Sequence, residues 1–405
     1  MDISGIKACI FSIPVNFKIA LWDIKFSRHC VVVLNINGVQ GCGSGPLYKN
    51  RPLAAMRLLR EEIIPFLETA ASADLGDLRS RIRQRFVSKA PSLVYALDSA
   101  LWDIQGKMEG QPVNQLLGTP KRDKIAITEQ IFISSPRQAR QELEEILRHG
   151  TKSIKVKLGR NPGGDVDLVR MVREVVGEGV ALRVDINHAY TFEQAVSIGK
   201  ELEKLNVLAL EEPLPTQDWR NLRRLKEAVH IPIMLDESIL SLADLKEAIR
   251  FGAIDILNFK LTRIGGLTSA LEYADTCQRH GIKISVGCSE DLGPGMASIL
   301  HFASIVEDLY STEGIGPMRL GFDIVDEEFK LVDGFLAAPQ GNGLGVTFNE
   351  HKLREAAGKK GFVIGEADKP SVAFILREKY NKWYQRWFTL QCRLRRRLQS
   401  ISGRW

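Results

Sequence analysis

The order of apolar and polar positions divides the 405-residue chain into stretches of different texture. Ile6 to Ile13 and Cys30 to Asn37 alternate with period two. The turn-prone Asn37-Gly38 and Gly41-Cys42-Gly43-Ser44-Gly45 stand beside them, which predicts a small antiparallel sheet with the glycines in hairpin turns. Pro52 to Ala70 and Ser92 to Lys107 switch to steps of three and four, and in the second of these Val94, Leu97, Ala100, Leu101 and Ile104 share one face. Residues 1–123 therefore read as an α+β unit.

From Lys124 to Phe322 short apolar runs alternate with amphipathic stretches. The strand candidates are Ile125 to Ile133, Ser153 to Leu158, Ala181 to Ile186, Val207 to Leu210, Ile233 to Leu235, Ile254 to Phe259, Ile282 to Val286 and Leu309 to Ile315. Eight such βα repeats predict a parallel sheet closed into a TIM-type (β/α)8 barrel over residues 124–322, an α/β fold. The last repeat is irregular, because Gly314-Ile315-Gly316-Pro317 reads as a loop without a helix behind it. Residues 323–370 are rich in turns (Asp333-Gly334, Pro339 to Gly343) and suit a return across the first unit. In residues 371–405, Tyr380, Trp383, Trp387, Leu390, Leu394 and Leu398 recur at helical spacing with arginines between them.

Composition is that of an ordinary globular protein, 44% hydrophobic and 26% charged. The net charge of +6 is uneven: the stretch from Ser371 carries nine Lys and Arg against Glu378 alone, so the remainder is slightly acidic. The basic pI thus describes the tail, and no nucleic-acid partner is expected of the body. A basic, Trp-rich amphipathic tail suits an anionic membrane surface or a protein partner. The six cysteines form no C-x-x-C and no cluster, and no apolar run approaches the roughly 20 residues of a membrane span, so a reducing, cytoplasmic setting is expected.

Polar side chains then fall at the carboxyl ends of successive strands, where a barrel carries its active site. They are Lys155 and Lys157, Asp185 and Asn187, Glu211, Asp236 and Lys260, one group per repeat. Lys157 ends the second strand and Lys260 the sixth, so in a ring of eight they stand opposite one another across the mouth. Asp185, Glu211 and Asp236 end the three strands between. Three converging carboxylates need a cation, and an all-oxygen set fits Mg²⁺ better than zinc. A proton next to a carboxylate becomes removable once a cation stabilises the enediolate that results, and a lysine crowded by another lysine, as Lys157 is by Lys155, suits the base. Glu212 and Glu237 neighbour the metal candidates, but strand alternation aims them away, towards structural support. His188 reads as a supporting or exposed histidine.

Taken together, Lys155-Val-Lys157, Asp185-Ile-Asn187, Glu211-Glu-Pro213, Asp236-Glu-Ser238 and Lys260 before Gly265-Gly266-Leu267-Thr268 resemble the muconate-lactonizing subgroup of the enolase superfamily, mandelate racemase and muconate cycloisomerase relatives, over roughly residues 1–355. The resemblance implies an α+β capping domain over the barrel mouth, with loops near Val15 to Phe26 and Gly43 to Arg51 shaping specificity. It implies Mg²⁺ on Asp185, Glu211 and Asp236, acid/base lysines at 157 and 260, a small-molecule carboxylate substrate and a homo-oligomer. It also places Asp291 in the site at the seventh strand, with Glu290 as the alternative acid. Thr312 to Leu320 resembles the cycloisomerase and betaine-epimerase branch, and the Asp-x-Asp that dipeptide epimerases carry at the eighth strand is missing. The expected activity is a racemase, epimerase or cycloisomerase. A syn-dehydratase of the succinylbenzoate-synthase kind uses the same site, and a non-catalytic barrel tethered by its basic tail is the alternative from another class.

Overall fold

The computed structural model describes residues 2–20, 23–47, 52–70, 74–360 and 362–364; the basic tail from Ser371 lies outside the described residues. β1 (Ile3–Lys18), β2 (Asp23–Ile36) and β3 (Val39–Pro46) open the chain as three strands of a four-stranded antiparallel sheet, whose fourth strand comes from residues 362–364. Its turn sits at Asn37-Gly38, both in the left-handed region. Gly41, Gly43 and Gly45 lie inside β3 and not in a hairpin turn as their spacing suggests. The reason is close packing: a Cβ on Gly43 would stand 1.8 Å from the carbonyl oxygen of Ala96, so the strand lies backbone-to-backbone on the helix Pro91–Glu109. That helix buries Leu93, Val94, Leu97, Ala100, Leu101 and Ile104 against the sheet and the helices before it, and the result is a separate apolar core.

The barrel consists of β4 (Lys124–Ile131), β5 (Ser153–Lys157), β6 (Ala181–Asp185), β7 (Val207–Glu211), β8 (Ile233–Leu235), β9 (Ile256–Lys260), β10 (Lys283–Gly287) and β11 (Leu309–Glu313). Each pairs in parallel with the next, and β11 closes onto β4 through Thr312 with Ile127 and Glu313 with Thr128. Several helices between the strands start on side-chain caps; Ser135 and Thr191, for example, form reciprocal capping boxes with Gln138 and Gln194. The eighth repeat does carry a helix, a short one over Gly316–Leu320 where the sequence reads as loop. Pro317 opens it at a position where a missing N–H costs nothing.

The stretch beyond Phe322 serves both units. β12 (Phe335–Ala337) pairs antiparallel with β4 of the barrel, whereas β13 (Phe362–Ile364) pairs with β1 of the cap. The cysteines among the described residues are free, Cys9, Cys30, Cys42 and Cys277 buried and Cys288 partly so. Among the described residues no helix is long and apolar enough to cross a membrane.

Candidate active site

Strand register brings the polar positions to one level. Lys157 is paired with Asp185, and Asp185 with Glu211, on neighbouring strands. Asp236 follows the last residue of β8, and Lys260 ends β9. Asp185, Glu211 and Asp236 are fully buried, and Lys155 and Lys157 nearly so. The ammonium of Lys157 donates to Asp185. That of Lys260 donates to Asp236 at 2.8 Å, and the Arg263 guanidinium holds the other oxygen of the same carboxylate. Lys155 lies beneath, 2.5 Å from Glu313, 3.3 Å from Glu211 and 3.5 Å from Asp185. Six of the expected residues thus form one charged cluster in which the two opposed lysines each face a carboxylate.

Asn187, in the left-handed region at φ 44°, links the two halves of the mouth. Its Oδ1 accepts from Lys157 at 3.4 Å, and its Nδ2 donates to Glu237 at 3.4 Å. Glu237 therefore faces the mouth, against the expectation from strand alternation; it lies past the end of β8, where the period-two rule no longer applies. Glu212 does turn away. Its carboxylate accepts from the backbone N–H groups of Asp236 and Ser238 and from the Ser238 hydroxyl, which fixes the turn that presents Asp236. His188 stands over Glu212 at 3.1 Å, and although burial opposes its charge, Glu212 and Glu237 push its pKa up to about 9.

Among the described residues, Asp291 makes no hydrogen bond or ion pair to this cluster, and its Oδ1 is buried without a partner. Its Oδ2 accepts from the Ser289 N–H at 3.0 Å and the Cys288 thiol at 3.3 Å, so the loop after β10 folds back on itself. Burial in that apolar pocket beside Tyr95 pushes the carboxyl up to about 6. Its neighbour Glu290 reaches Arg319 at 3.5 Å.

Three further residues complete the site from below. Arg183 donates to Glu313 and to the hydroxyls of Ser285 and Ser311, and Asn258 donates to Glu211 at 2.9 Å. Arg183 and Asn258 stand two positions before Asp185 and Lys260, as Lys155 stands two before Lys157. The same inward period therefore marks them in the sequence, one layer deeper. Glu313 comes from β11, where the irregular last repeat hid it.

Electrostatics follow from this packing. Burial works against the charge on Asp185 and Asp236, but Lys157 and Lys155 on one, and Arg263 and Lys260 on the other, hold both well below the usual carboxylate range. Burial likewise opposes charge on Lys155 and Lys260, yet the carboxylates around them raise both above an ordinary lysine. Glu211 goes the other way: burial and the Asp185 charge push it up to about 8. Its Oε2 is buried and takes no hydrogen bond. A buried carboxylate oxygen left without a donor, in an all-oxygen set next to two further carboxylates, is the environment a hard cation relieves. Among the described residues, the His/Cys/Asp/Glu group whose ligand atoms all lie within 4.8 Å is His188, Glu212 and Glu237. Glu212 is already committed to three donors there, while the lysine ammoniums sit among Asp185, Glu211 and Asp236.

A closed barrel with opposed lysines around buried acids, under an α+β cap, defines a class of proteins, and comparison with known families names it. Residues 8–118 match the mandelate racemase / muconate lactonizing enzyme N-terminal domain, and residues 138–352 match the enolase C-terminal domain-like family. The chain belongs to this family, the muconate-lactonizing side of the enolase superfamily, and is an enzyme of its isomerase and lyase kind. The N-succinyl-L-Arg/Lys racemase of Bacillus cereus is 29% identical over 65% of this chain and 72% of its own. The o-succinylbenzoate synthase of Geobacillus kaustophilus is 30% identical over 80% of this chain and 86% of its own, and the chloromuconate cycloisomerase of a Pseudomonas strain 28% over 87% and 98%. The solved structure of the B. cereus racemase superposes with a TM-score of 0.82 at 24% identity, covering 90% of this chain and 100% of that one. That of a dipeptide epimerase from Enterococcus faecalis, complexed with Mg and a dipeptide, gives 0.78 at 25% identity, covering 86% and 100%.

Proposed function

We propose that this enzyme is a Mg²⁺-dependent racemase or epimerase that moves a proton on and off the carbon next to the carboxylate of an N-acylated amino acid. The observation that carries the reading is the opposition of Lys157 and Lys260: they sit four strands apart in the ring, and each is hydrogen-bonded to an acid of one buried cluster. Inversion at a carbon needs one group to take a proton from one face and another to return one to the opposite face. A reaction confined to one face would need only one of these lysines.

Asp185, Glu211 and Asp236 would hold Mg²⁺, whose charge would offset the second negative charge that develops on the substrate carboxylate. Lys157 takes or returns the proton on its side of the α-carbon, and Lys260 does so on the other. Lys155, kept charged by Glu211, Glu313 and Asp185, adds positive charge beneath the cluster. Asn187 orients the Lys157 ammonium. An N-acyl substrate is favoured over a free dipeptide amine because the eighth strand offers no pair of acids: Glu313 is its one acid and is held by Arg183 and Lys155, and position 311 is a serine.

The test is exchange in D₂O. N-succinyl-L-arginine and N-succinyl-D-arginine are incubated with enzyme, with Mg²⁺ or with EDTA, and loss of the α-proton signal is followed by NMR alongside optical rotation. The expected result is Mg²⁺-dependent exchange and inversion from both enantiomers. Exchange from one enantiomer without inversion would overturn the racemase reading in favour of one-base chemistry, as would turnover of chloromuconate alone.

A further inference from the structure

The two lysines are supported differently. Lys157 is anchored within the barrel, where the next residue's N–H bonds to the Asp185 carbonyl at 2.8 Å and the Gly159 N–H to Asp165 at 2.8 Å. The cap reaches this side through the partly exposed Arg160, which donates to Ile19 O and Asp23. Lys260, by contrast, leads directly into the turn Leu261–Ile264 and then into Gly265-Gly266, and that whole segment is tied to the cap by buried contacts.

Thr262 donates its hydroxyl to the Pro46 carbonyl at 2.7 Å and lies 3.2 Å from the Ser92 hydroxyl, both on the cap. At the far end, the helix Leu267–Arg279 begins with Gly266, which has no side chain to cap it. Asp98, from the cap helix Pro91–Glu109, fills that place. Its Oδ2 accepts from the Thr268 N–H at 3.1 Å, and its Oδ1 from the Thr268 hydroxyl, which also accepts from Trp102 Nε1 at 3.1 Å. The fit leaves no slack: Gly266 has φ 101°, and a Cβ there would stand 2.4 Å from Asp98 Oδ2. The Arg79 guanidinium covers the Trp102 ring at 3.8 Å and closes the network from outside. An N-cap fixes the chain that enters the helix. The entering chain here is the one that carries Lys260 and Arg263, both hydrogen-bonded to Asp236.

We propose that Asp98 is a positioning residue for Lys260: capping the barrel helix Leu267–Arg279 from the cap domain, it fixes the turn through which Lys260 and Arg263 reach Asp236, and leaves Lys157 untouched. The inference rests on the two-lysine reading above. A positioning role should show as loss on one face only, since a general loss of folded enzyme would lower exchange from both enantiomers by one factor. Lys157→Ala and Lys260→Ala first assign each enantiomer of N-succinyl-arginine to a lysine. Asp98→Ala should then lower kcat for exchange from the Lys260-face enantiomer at least tenfold, and keep the other within about threefold of wild type. Asp98→Asn, which retains an acceptor for the Thr268 N–H, should restore most of the loss.

A second arm needs no substrate. Amide hydrogen exchange of the full chain, read by mass spectrometry, should quicken across residues 261–268 in Asp98→Ala and stay as in wild type across 153–158. Thr268→Val, which at nearly constant volume removes the hydroxyl that donates to Asp98 and accepts from Trp102, carries the same two measurements should Asp98→Ala fail to fold. Equal loss from both enantiomers, unaltered exchange, or unchanged protection of residues 261–268 would each overturn the proposal. If wild type turns over neither probe, the function reading fails on its own, and the amide-exchange arm still decides whether Asp98 fixes the turn.

Discussion

The barrel axis and the cap core are both buried, and they are built on opposite principles. In the cap, Ala8, Ile10, Val32, Leu34, Leu97, Leu101 and Ile104 pack as one apolar cluster, and the buried acids of its helix, Asp98 and Asp103, are turned to Thr268 and Leu344 outside the cap. Along the barrel axis the apolar floor is only Ala209, Met234 and Ile256 with Tyr310, and above it lie Arg183, Lys155, Glu313, Glu211 and Asn258, all buried. Apolar burial stabilises in proportion to area and tolerates any shape-conserving exchange. Buried charges contribute little net stability even when paired, and a pair broken on one side is costly. The cap therefore supplies cohesion, while the barrel axis holds side chains at fixed places for chemistry.

The sharpest way to break that comparison is to remove a lysine. Lys157→Ala should lower α-proton exchange by about 10²–10⁴-fold, the usual contribution of general acid–base catalysis. The thermal midpoint should fall too, but by less than the activity loss implies, because the change breaks one buried pair and leaves Asp185 with Lys155 alone at 3.5 Å. Activity assays and thermal unfolding on the same preparation check both halves. A collapse of stability in step with activity would mean that this lysine is structural.

One layer down, charge itself becomes the structural element. Arg183→Met leaves Glu313 with Lys155 and without its guanidinium, and should lower unfolding stability by about 3–5 kcal/mol. Arg183→Met combined with Glu313→Gln should cost less than the sum of the two single changes, since no unpaired charge remains between them. Denaturant unfolding of the three variants closes the cycle.

How far the sequence shows this design differs between the two regions. Strand ends were legible because one polar residue recurs per βα repeat, so Lys155, Lys157, Asp185, Asn187, Glu211, Asp236 and Lys260 could be named before any coordinates. The layer beneath was not, because Arg183 and Asn258 in isolation read like any polar residue in a strand; only closure of the ring brings them against Glu313 and Glu211. Asp291 and Glu237 were the hardest to place, for a related reason. Both lie just past a strand end, where the loop's own hydrogen bonds decide direction, and the Ser289 N–H claims the first as Asn187 claims the second. In the cap, helical periodicity identified the face of Pro91–Glu109 but not its partner, so glycines that admit the helix to β3 looked like turns.

A third prediction tests the seam between the regions. His301 lies on the barrel helix Gly293–Ile305, fully buried; its Nδ1 accepts from the Asn114 N–H at 3.3 Å and its Nε2 bonds to the Leu344 carbonyl at 3.1 Å. That pairing suits the neutral ring with the proton on Nε2, and burial depresses the pKa from 6.5 to about 4. A depressed histidine contributes its stability in full above the unfolded value and loses it as pH falls towards the folded one. At about 1.4 kcal/mol per unit, His301 should account for about 3 kcal/mol lost between pH 6.5 and 4. Asp98, pushed up to about 6 by burial, runs the other way over much of that window, so the wild-type curve is a sum. The quantity to measure is the stability gap between wild type and His301→Gln, which should shrink by that amount on acidification.

The smallest expected effect is the one that separates the regions most cleanly. Ile104 is fully buried in the cap helix, and its Cγ1 would meet a Cβ on Gly41 at 2.5 Å, so the side chain lies flat on the β3 backbone. Ile104→Val removes one methyl from this seat and adds no polar atom. It should cost about 0.5–1.5 kcal/mol of unfolding free energy, the sum of lost transfer and a small cavity. Asp98 and the turn behind Lys260 keep their hydrogen bonds in this variant, so α-proton exchange from both enantiomers should match wild type within error. Cohesion and chemistry then move independently. A lowered kcat in Ile104→Val would show instead that packing in the cap reaches the lysines by a route other than Asp98, and would erase the division drawn between the two interiors.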